Sequence, residues 1–203
     1  MKNKKIIIAV LMALVLSTSV VFAASVNGEF NGFPIVKVNV NDKAVSSDVP
    51  GVVMKGRTLL PVRAVAESLG GLVSWDAATM TANIEKPEST LMFVDDVIEN
   101  EDGTWDLINP YGVTDKGILD LVVYYEITPT SVSDVDMKLV VKDMGGNSIT
   151  EATEHFKSDE TGSRGYMYFE NLECKTAGEY TVELQMKHEG KYQTINTKTL
   201  FVE

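Results

Sequence analysis

The spacing of apolar and polar positions changes character several times along the chain. Residues 6–16 form an unbroken apolar run behind Lys2, Lys4 and Lys5. From Ile35 to Val40 the chain alternates, with Val36, Val38 and Val40 on one face and Lys37 and Asn39 on the other, which predicts a half-buried strand. Asn41-Asp42 predicts a turn with Lys43–Val45 returning, Val52–Met54 a short strand, and Lys55-Gly56 a further turn. The period then lengthens: Val62, Val65, Ala66 and Leu69 share one helical stripe behind Pro61, whose fixed φ and missing N–H suit the first position of a helix. That stripe is expected to be buried. Gly70-Gly71 is expected to end the helix, because a left-handed residue just past the last turn costs little only for glycine. Leu72–Trp75 returns to strand character, and Trp75–Ile84 predicts a hairpin through Asp76–Ala78.

Beyond Lys86-Pro87-Glu88-Ser89-Thr90, which reads as a linker, no helical period recurs. Seven strands are predicted at Leu91–Ile98, Trp105–Ile108, Leu119–Ile127, Met137–Lys142, Tyr166–Leu172, Tyr180–Met186 and Gln193–Val202. Turn signals at Asp102-Gly103, Asn109-Pro110, Gly145-Gly146-Asn147, Thr161-Gly162 and Glu189-Gly190 separate them, the pattern of an immunoglobulin-like sandwich. The expected fold class is therefore a small α+β N-terminal domain, an antiparallel sheet around one helix, followed by an all-β immunoglobulin-like sandwich. The expected divisions are a signal peptide at 1–23, a flexible lead-in at 24–34, the α+β domain at 35–86, a linker at 87–90 and the sandwich at 91–203.

Two resemblances sharpen this reading. The stretch Arg57-Thr58-Leu59-Leu60-Pro61-Val62-Arg63, the Gly-closed helix and Trp75-Asp76 followed by Thr81–Ile84 resemble the copper amine oxidase N-terminal-like domain, a stalk-type module, over about Val36–Ile84. The resemblance implies a non-catalytic module and not an oxidase. Ala177–Leu184 resembles the sixth strand of immunoglobulin folds, with Tyr180 as the corner tyrosine and Val182 where antibody domains place a cysteine. That departure implies a sandwich without a disulfide.

Charge and cysteine usage narrow the function classes. The formal net charge is −11, and it is uneven: residues 24–88 carry six Lys and Arg against seven Asp and Glu, residues 89–203 nine against twenty-two. Such a potential repels nucleic acid and anionic lipid. Cys174 is the only cysteine, so no intramolecular disulfide can form, and it is read as a small filler near a strand end rather than a reactive thiol. The basic start, short apolar run and Val21-Phe22-Ala23 read as a cleaved export signal, leaving a secreted or loosely envelope-associated chain without a membrane anchor.

Candidate chemistry is sparse. The two histidines, His155 and His188, have no ligand spacing and are read as surface residues, so copper is not expected. No nucleophile elbow, zinc helix or phosphate loop appears, and no catalytic residue or cofactor is assigned. Asp95, Asp96, Glu101, Asp102 and Asp106, with Glu99, crowd one turn and form a candidate calcium site, since extracellular calcium modules work at roughly 10⁻⁴ to 10⁻³ M with several oxygen ligands. Arg57 and Arg63 are read as bonded to loop carbonyls or to Asp76 and Glu67, the alternative being an anion clamp. Trp75 is read as a core or hinge anchor, the alternative being a sugar platform. The expected function is a secreted, non-enzymatic adhesion, scaffold or binding module that engages a cell-wall polymer or an extracellular protein. The alternatives are a carbohydrate-binding module using Trp105, Tyr111 or Tyr124, and an accessory or inhibitory subunit of a secreted enzyme.

Overall fold

The computed structural model describes residues 26–131, 134–157 and 162–203; the signal-like segment at 1–23 lies outside them. In chain order the first elements are β1 (Glu29–Phe30), β2 (Phe33–Val36), β3 (Asn39–Val40), β4 (Lys43–Ala44), β5 (Gly51–Met54), β6 (Arg57–Leu59), helix α1 (Val62–Ser68), β7 (Leu72–Asp76) and β8 (Thr81–Glu85). They are followed by β9 (Ser89–Val94), β10 (Asp96–Glu99), β11 (Trp105–Ile108), β12 (Val113–Thr114), β13 (Gly117–Ile127), β14 (Asp134–Lys142), β15 (Ser148–Lys157), β16 (Ser163–Cys174), β17 (Gly178–His188) and β18 (Lys191–Val202). Two compact units result. Among the described residues, one comprises residues 26–38 and Asp48–Leu60; the other comprises Asn39–Ser47 and the chain from Pro61 to Glu203.

The smaller unit is an antiparallel sheet in the order β1-β2-β5-β6. The expected lead-in thus already contains β1 and the start of β2. The alternating stretch Ile35–Val40 is not one strand: β2 ends at Val36 and β3 starts at Asn39, although Val36, Val38 and Val40 are all more enclosed than Lys37 and Asn39. No apolar side chain of residues 26–38 and 48–60 is fully buried, as a unit this short cannot enclose a core of its own.

In the larger unit, β9-β13-β16 faces β12-β18-β17-β14-β15. In immunoglobulin lettering these are sheets A-B-E and G-F-C-C′, with β12 added in parallel along the end of β18. Strict alternation builds the core: Met137, Leu139 and Val141 meet Val182, Leu184 and Met186 within one sheet, and Leu121, Val123, Tyr125 and Ile127 close it from the other. Each such side chain, once enclosed, contributes about 1.5–3 kcal/mol of burial. Tyr180 is buried at the start of β17, and its hydroxyl accepts a hydrogen bond from the Thr176 N–H, four residues upstream, at 3.4 Å, which is the corner geometry. Val182 fills the cysteine position with no exposed surface.

Strand β13 explains a feature that alternation alone does not. Its run Leu121–Tyr125 is apolar at every position because both faces are covered, the inner one by the core and the outer one by the β10–β11 hairpin, which packs Val97, Trp105 and Leu107 on Val122 and Tyr124. The predicted strand Leu91–Ile98 is accordingly broken at Asp95, whose N–H turns to the Ile108 carbonyl and starts the hairpin. Strand β15 escaped the sequence reading altogether. It is the outermost strand of its sheet, its Ser-Ile-Thr-Glu-Ala-Thr-Glu face is mostly solvated, and so it has no apolar period to detect.

The helix also departs from expectation. Pro61 is its N-cap residue, in extended conformation, and Gly70 (φ +80°) ends it: the Gly71 N–H bonds the Ala66 carbonyl and the Gly70 N–H bonds the Glu67 carbonyl, a Schellman closure. Yet of the stripe only Ala66 is buried; Val62 and Leu69 are each 49% exposed. A helix of seven residues that rests only on β7 and β18 lacks the surface to cover two turns of apolar side chains. Trp75, expected as an anchor, is 53% exposed at the far end of β7, although Val73 on the same face is buried; Leu72, on the other face, belongs to the sandwich core with Ile195. Ser89 and Thr90, expected in a linker, are the first residues of β9, paired with Ile127 and Glu126. Helix α1 and the β7–β8 hairpin therefore share a compact unit with the sandwich.

Candidate functional site

The segment from α1 to β8 meets the sandwich along the β17–β18 hairpin, whose Glu189-Gly190 turn has both residues at positive φ. Arg63 holds this seam. Its guanidinium donates to the Val73 carbonyl at 2.8 Å and to Glu189 at 3.1 Å, with Glu67 at 3.8 Å. Asp76 is not its partner; that carboxylate instead closes its own turn, and the Thr79 hydroxyl followed by the Ala78 and Thr79 N–H groups holds it below the usual carboxylate range. Arg57 lies opposite Met54 in the smaller unit.

Two clefts open along the seam. The first, about 450 Å³, is lined by Leu72, Ser74, Asn83, Ile84, Glu85, Ser131 and His188. Glu85 accepts from the Ser131 N–H at 2.8 Å and also from the Ser131 hydroxyl. The hydroxyl proton therefore goes to a carboxylate and not to an imidazole, so Ser131 and His188 do not form a nucleophile and base. His188, expected at the surface, is half-buried, and its Nε2 is enclosed with no hydrogen-bond partner among the described residues; Gln193 Oε1 is in the same state, while the Gln193 amide donates to Glu67. The signal for His188 was present in the sequence: Val182, Leu184, Met186 and His188 occupy one face of β17.

The second cleft, about 430 Å³, borders the end of α1 and is bounded by Asn41, Lys43, Glu67, Lys86, Glu183, Thr194 and Asn196, among others. Asn41 and Asp42 both have positive φ, and this tight turn between β3 and β4 is what presents Lys43 at the rim. Burial alone would raise the Glu183 carboxyl, but the Lys142 ammonium at 2.6 Å, the Gln185 amide and the Thr194 hydroxyl together hold it below its ordinary value. Of these cleft residues only Glu67 was singled out in the sequence, as an arginine partner; Asn41, Lys43 and Lys86 were read as hairpin or linker residues, because hairpin, helix and β18 come together only in the fold.

The residues proposed for calcium each take a separate donor. Asp95 accepts from the Asn109 amide, Asp96 from the Tyr168 hydroxyl and the Val97 N–H, Glu99 from the Tyr166 hydroxyl, Asp106 from the Asn100 amide, and Asp102 from the Thr104 hydroxyl and N–H; Glu101 is exposed in the turn. The Thr104 hydroxyl, then its N–H, holds Asp102 below the usual carboxylate range. Among the described residues no three acidic, His or Cys side chains converge to hold a metal. Calcium titrated to millimolar concentration is expected to leave the melting midpoint unchanged; a rise with saturation would place an ion on this hairpin.

The aromatic residues do not form a flat platform. Trp105 meets Tyr124 and Tyr166 edge-on, both at 73°, with the Arg164 guanidinium 4.6 Å above its ring, and Tyr124 is buried. Tyr111 packs against Phe93 with ring centroids 6.2 Å apart. A stacked sugar needs a ring face in solvent, whereas these rings fill the space between the hairpin and β13. Cys174 is fully buried at the end of β16, where burial pushes its thiol up.

His155 is exposed on β15 between two carboxylates of β14, with Nε2 2.8 Å from Asp134 and Nδ1 3.2 Å from Asp136, which also takes Lys187 at 2.8 Å. The Asp136 hydrogen bond and then Asp134 raise its pKa above 6.5. A raised folded pKa gives stability that is complete below the unfolded value and is lost as pH rises through the folded one. The wild type is expected to lose part of its melting midpoint relative to His155→Ala as pH rises above the ordinary histidine value; parallel profiles would remove the charge pair from the account.

Two facing antiparallel sheets with a corner tyrosine and no disulfide make the larger unit an immunoglobulin-like β-sandwich, with a helix and hairpin built into its seam. Within that chain, residues 39–99 match the copper amine oxidase N-terminal domain family. The match runs from β3 to β10 and covers that family's N-terminal domain, not a catalytic domain. Among solved structures, the chain is similar to the CARDB domain of a Pyrococcus furiosus protein, crystallised in complex with di-metal ions, at 12% identity and a TM-score of 0.33, over 59% of this chain and 90% of that one. It is also similar to an immunoglobulin-like protein from Pseudomonas aeruginosa, at 13% identity and a TM-score of 0.31, over 58% of this chain and 95% of that one. No curated protein sequence matches the chain. Among the described residues no helix is long and apolar enough to cross a membrane.

Proposed function

We propose that the chain is a secreted, non-enzymatic bacterial protein of the cell surface that works as a binding or scaffold module, with the seam between α1–β8 and the β17–β18 hairpin as its recognition surface. The observation that carries this reading is the seam itself: two clefts whose walls hold amide, hydroxyl and charged groups, with His188 on the wall of the first and Gln193 holding Glu67 on the wall of the second. Export rests on the basic and apolar start of the chain, and the absence of a catalytic role rests on the match to a non-catalytic domain and on the Ser131–Glu85 bond. Retention at the envelope would then be non-covalent, through a wall polymer or an extracellular protein.

The test is sedimentation of the mature chain with isolated cell walls, with and without calcium. Co-sedimentation that His188→Ala together with Gln193→Ala weakens is expected. A chain that stays in the supernatant under both conditions would refute the envelope role.

A further inference from the structure

The second cleft is an island of unpaired positive charge in an acidic protein. Four charged side chains line it. Its two carboxylates are already engaged: Glu183 by Lys142 at 2.6 Å, and Glu67 by the Gln193 amide at 2.9 Å with Arg63 at 3.8 Å. Its two ammonium groups, Lys43 and Lys86, make no ion pair or hydrogen bond with the described residues. Arg63 is shared by Glu67 and Glu189, so Lys43, Lys86, Lys142 and Arg63 against Glu67, Glu183 and Glu189 leave an excess of one positive charge at the cleft, whereas the chain as a whole carries −11. Lys43 and Lys86 are both exposed and line the same cleft, so their ammonium groups are available to an anionic ligand.

The walls between them add specificity. Asn41, Asn196 and Thr197 are amide and hydroxyl side chains. Asn196 is fixed, its amide donating to the Ser89 carbonyl at 2.7 Å and its side-chain oxygen accepting from the Thr197 N–H at 2.7 Å. Fixed polar groups of this kind orient hydroxyls, and the volume of about 430 Å³ admits one or two sugar-sized units.

We propose that this cleft binds an oxyanion carried on a hydroxylated body, a sugar acid or a sugar phosphate, with Lys43 and Lys86 clamping the anion. This rests on the seam being a recognition surface and names what it recognises. The experiment is calorimetric titration of the mature chain at low ionic strength with glucuronate, glucose 6-phosphate and neutral glucose in parallel. At least one of the two anions is expected to bind at least tenfold more tightly than glucose, and the comparison between them separates carboxylate from phosphate as the natural group. The double variant Lys43→Ala, Lys86→Ala should lose at least tenfold, the Lys43→Arg, Lys86→Arg pair should retain binding, and Lys116→Ala, at an exposed lysine between β12 and β13, should leave it unchanged. Equal binding of glucose, undiminished binding by the double alanine variant, or no heat with either anion at 10-fold excess over about 1 mM protein would overturn it. If the chain co-sediments with cell walls while the double variant does so equally, this inference fails and the recognition surface stands; if the anions bind in solution but no wall fraction is captured, the reverse holds.

Discussion

Truncating Phe93 to alanine is expected to lower the unfolding free energy by about 3–5 kcal/mol, the range for deleting a fully enclosed aromatic ring. Phe93 has no exposed surface, pairs with Val123 across β9–β13, and packs its ring against Tyr111, while the backbone of Tyr111 bridges to its own. The site sits between two sheets, so neighbouring strands cannot collapse into the void without breaking ladder hydrogen bonds. Urea unfolding, read by tryptophan fluorescence and by circular dichroism together, measures the loss. Trp75→Ala supplies the contrast. Its side chain is larger, yet it stands in solvent on β7, and a change within about 0.5 kcal/mol is expected. A loss at Trp75 matching that at Phe93 would mean that the outer face of the β7–β8 hairpin is covered in solution.

The second large effect is expected at Gly70. Replacing it with alanine should cost about 2–4 kcal/mol, through two additive causes. Its φ of +80° is a left-handed conformation that a side chain disfavours, and a Cβ built there would lie 2.7 Å from the Ile195 carbonyl oxygen. That oxygen is backbone in β18 and cannot rotate away. Gly70→Asn separates the causes, since asparagine tolerates the left-handed region but not the contact; it should recover only the smaller part of the loss. Full recovery would show that helix termination alone matters, and that α1 does not press on β18 as tightly as the geometry has it. Because Gly70 borders the cleft that holds Lys43 and Lys86, weakened anion binding should accompany the loss of stability.

Much of the fold could be read from the residues because burial was one-sided. Where one face of a strand meets the core and the other meets water, alternation records the fact, as in Met137–Val141 and Val182–Met186. Turns were legible where backbone geometry restricts the residue type: Asn41-Asp42, Gly70 and Gly190 take the left-handed conformations that Asn, Asp and Gly accept, while Glu189 is carried to positive φ by its turn. Reading failed where burial had two sides or none. β15 is solvated and left no period, and the outer face of β13 is apolar because of a hairpin that no local pattern announces. The stripe on α1 and Trp75 were misread for a related reason, since apolar periodicity indicates which side could be buried and not whether a neighbour reaches it.

The sequence by itself determined the strand-rich class, the sandwich with its corner tyrosine, the short proline-started and glycine-stopped helix, and the resemblance of the Arg57–Asp76 region to a non-catalytic domain. Each of these follows from constraints acting within a few residues or along one strand. Only the tertiary structure decided that α1 and the β7–β8 hairpin share a compact unit with the sandwich, that the acidic turn spends its carboxylates on separate donors, and that Lys43 and Lys86 line one cleft while His188 is half-buried at another. Those outcomes depend on which segments, distant in sequence, come within a few ångströms of each other, and on which charges find partners there.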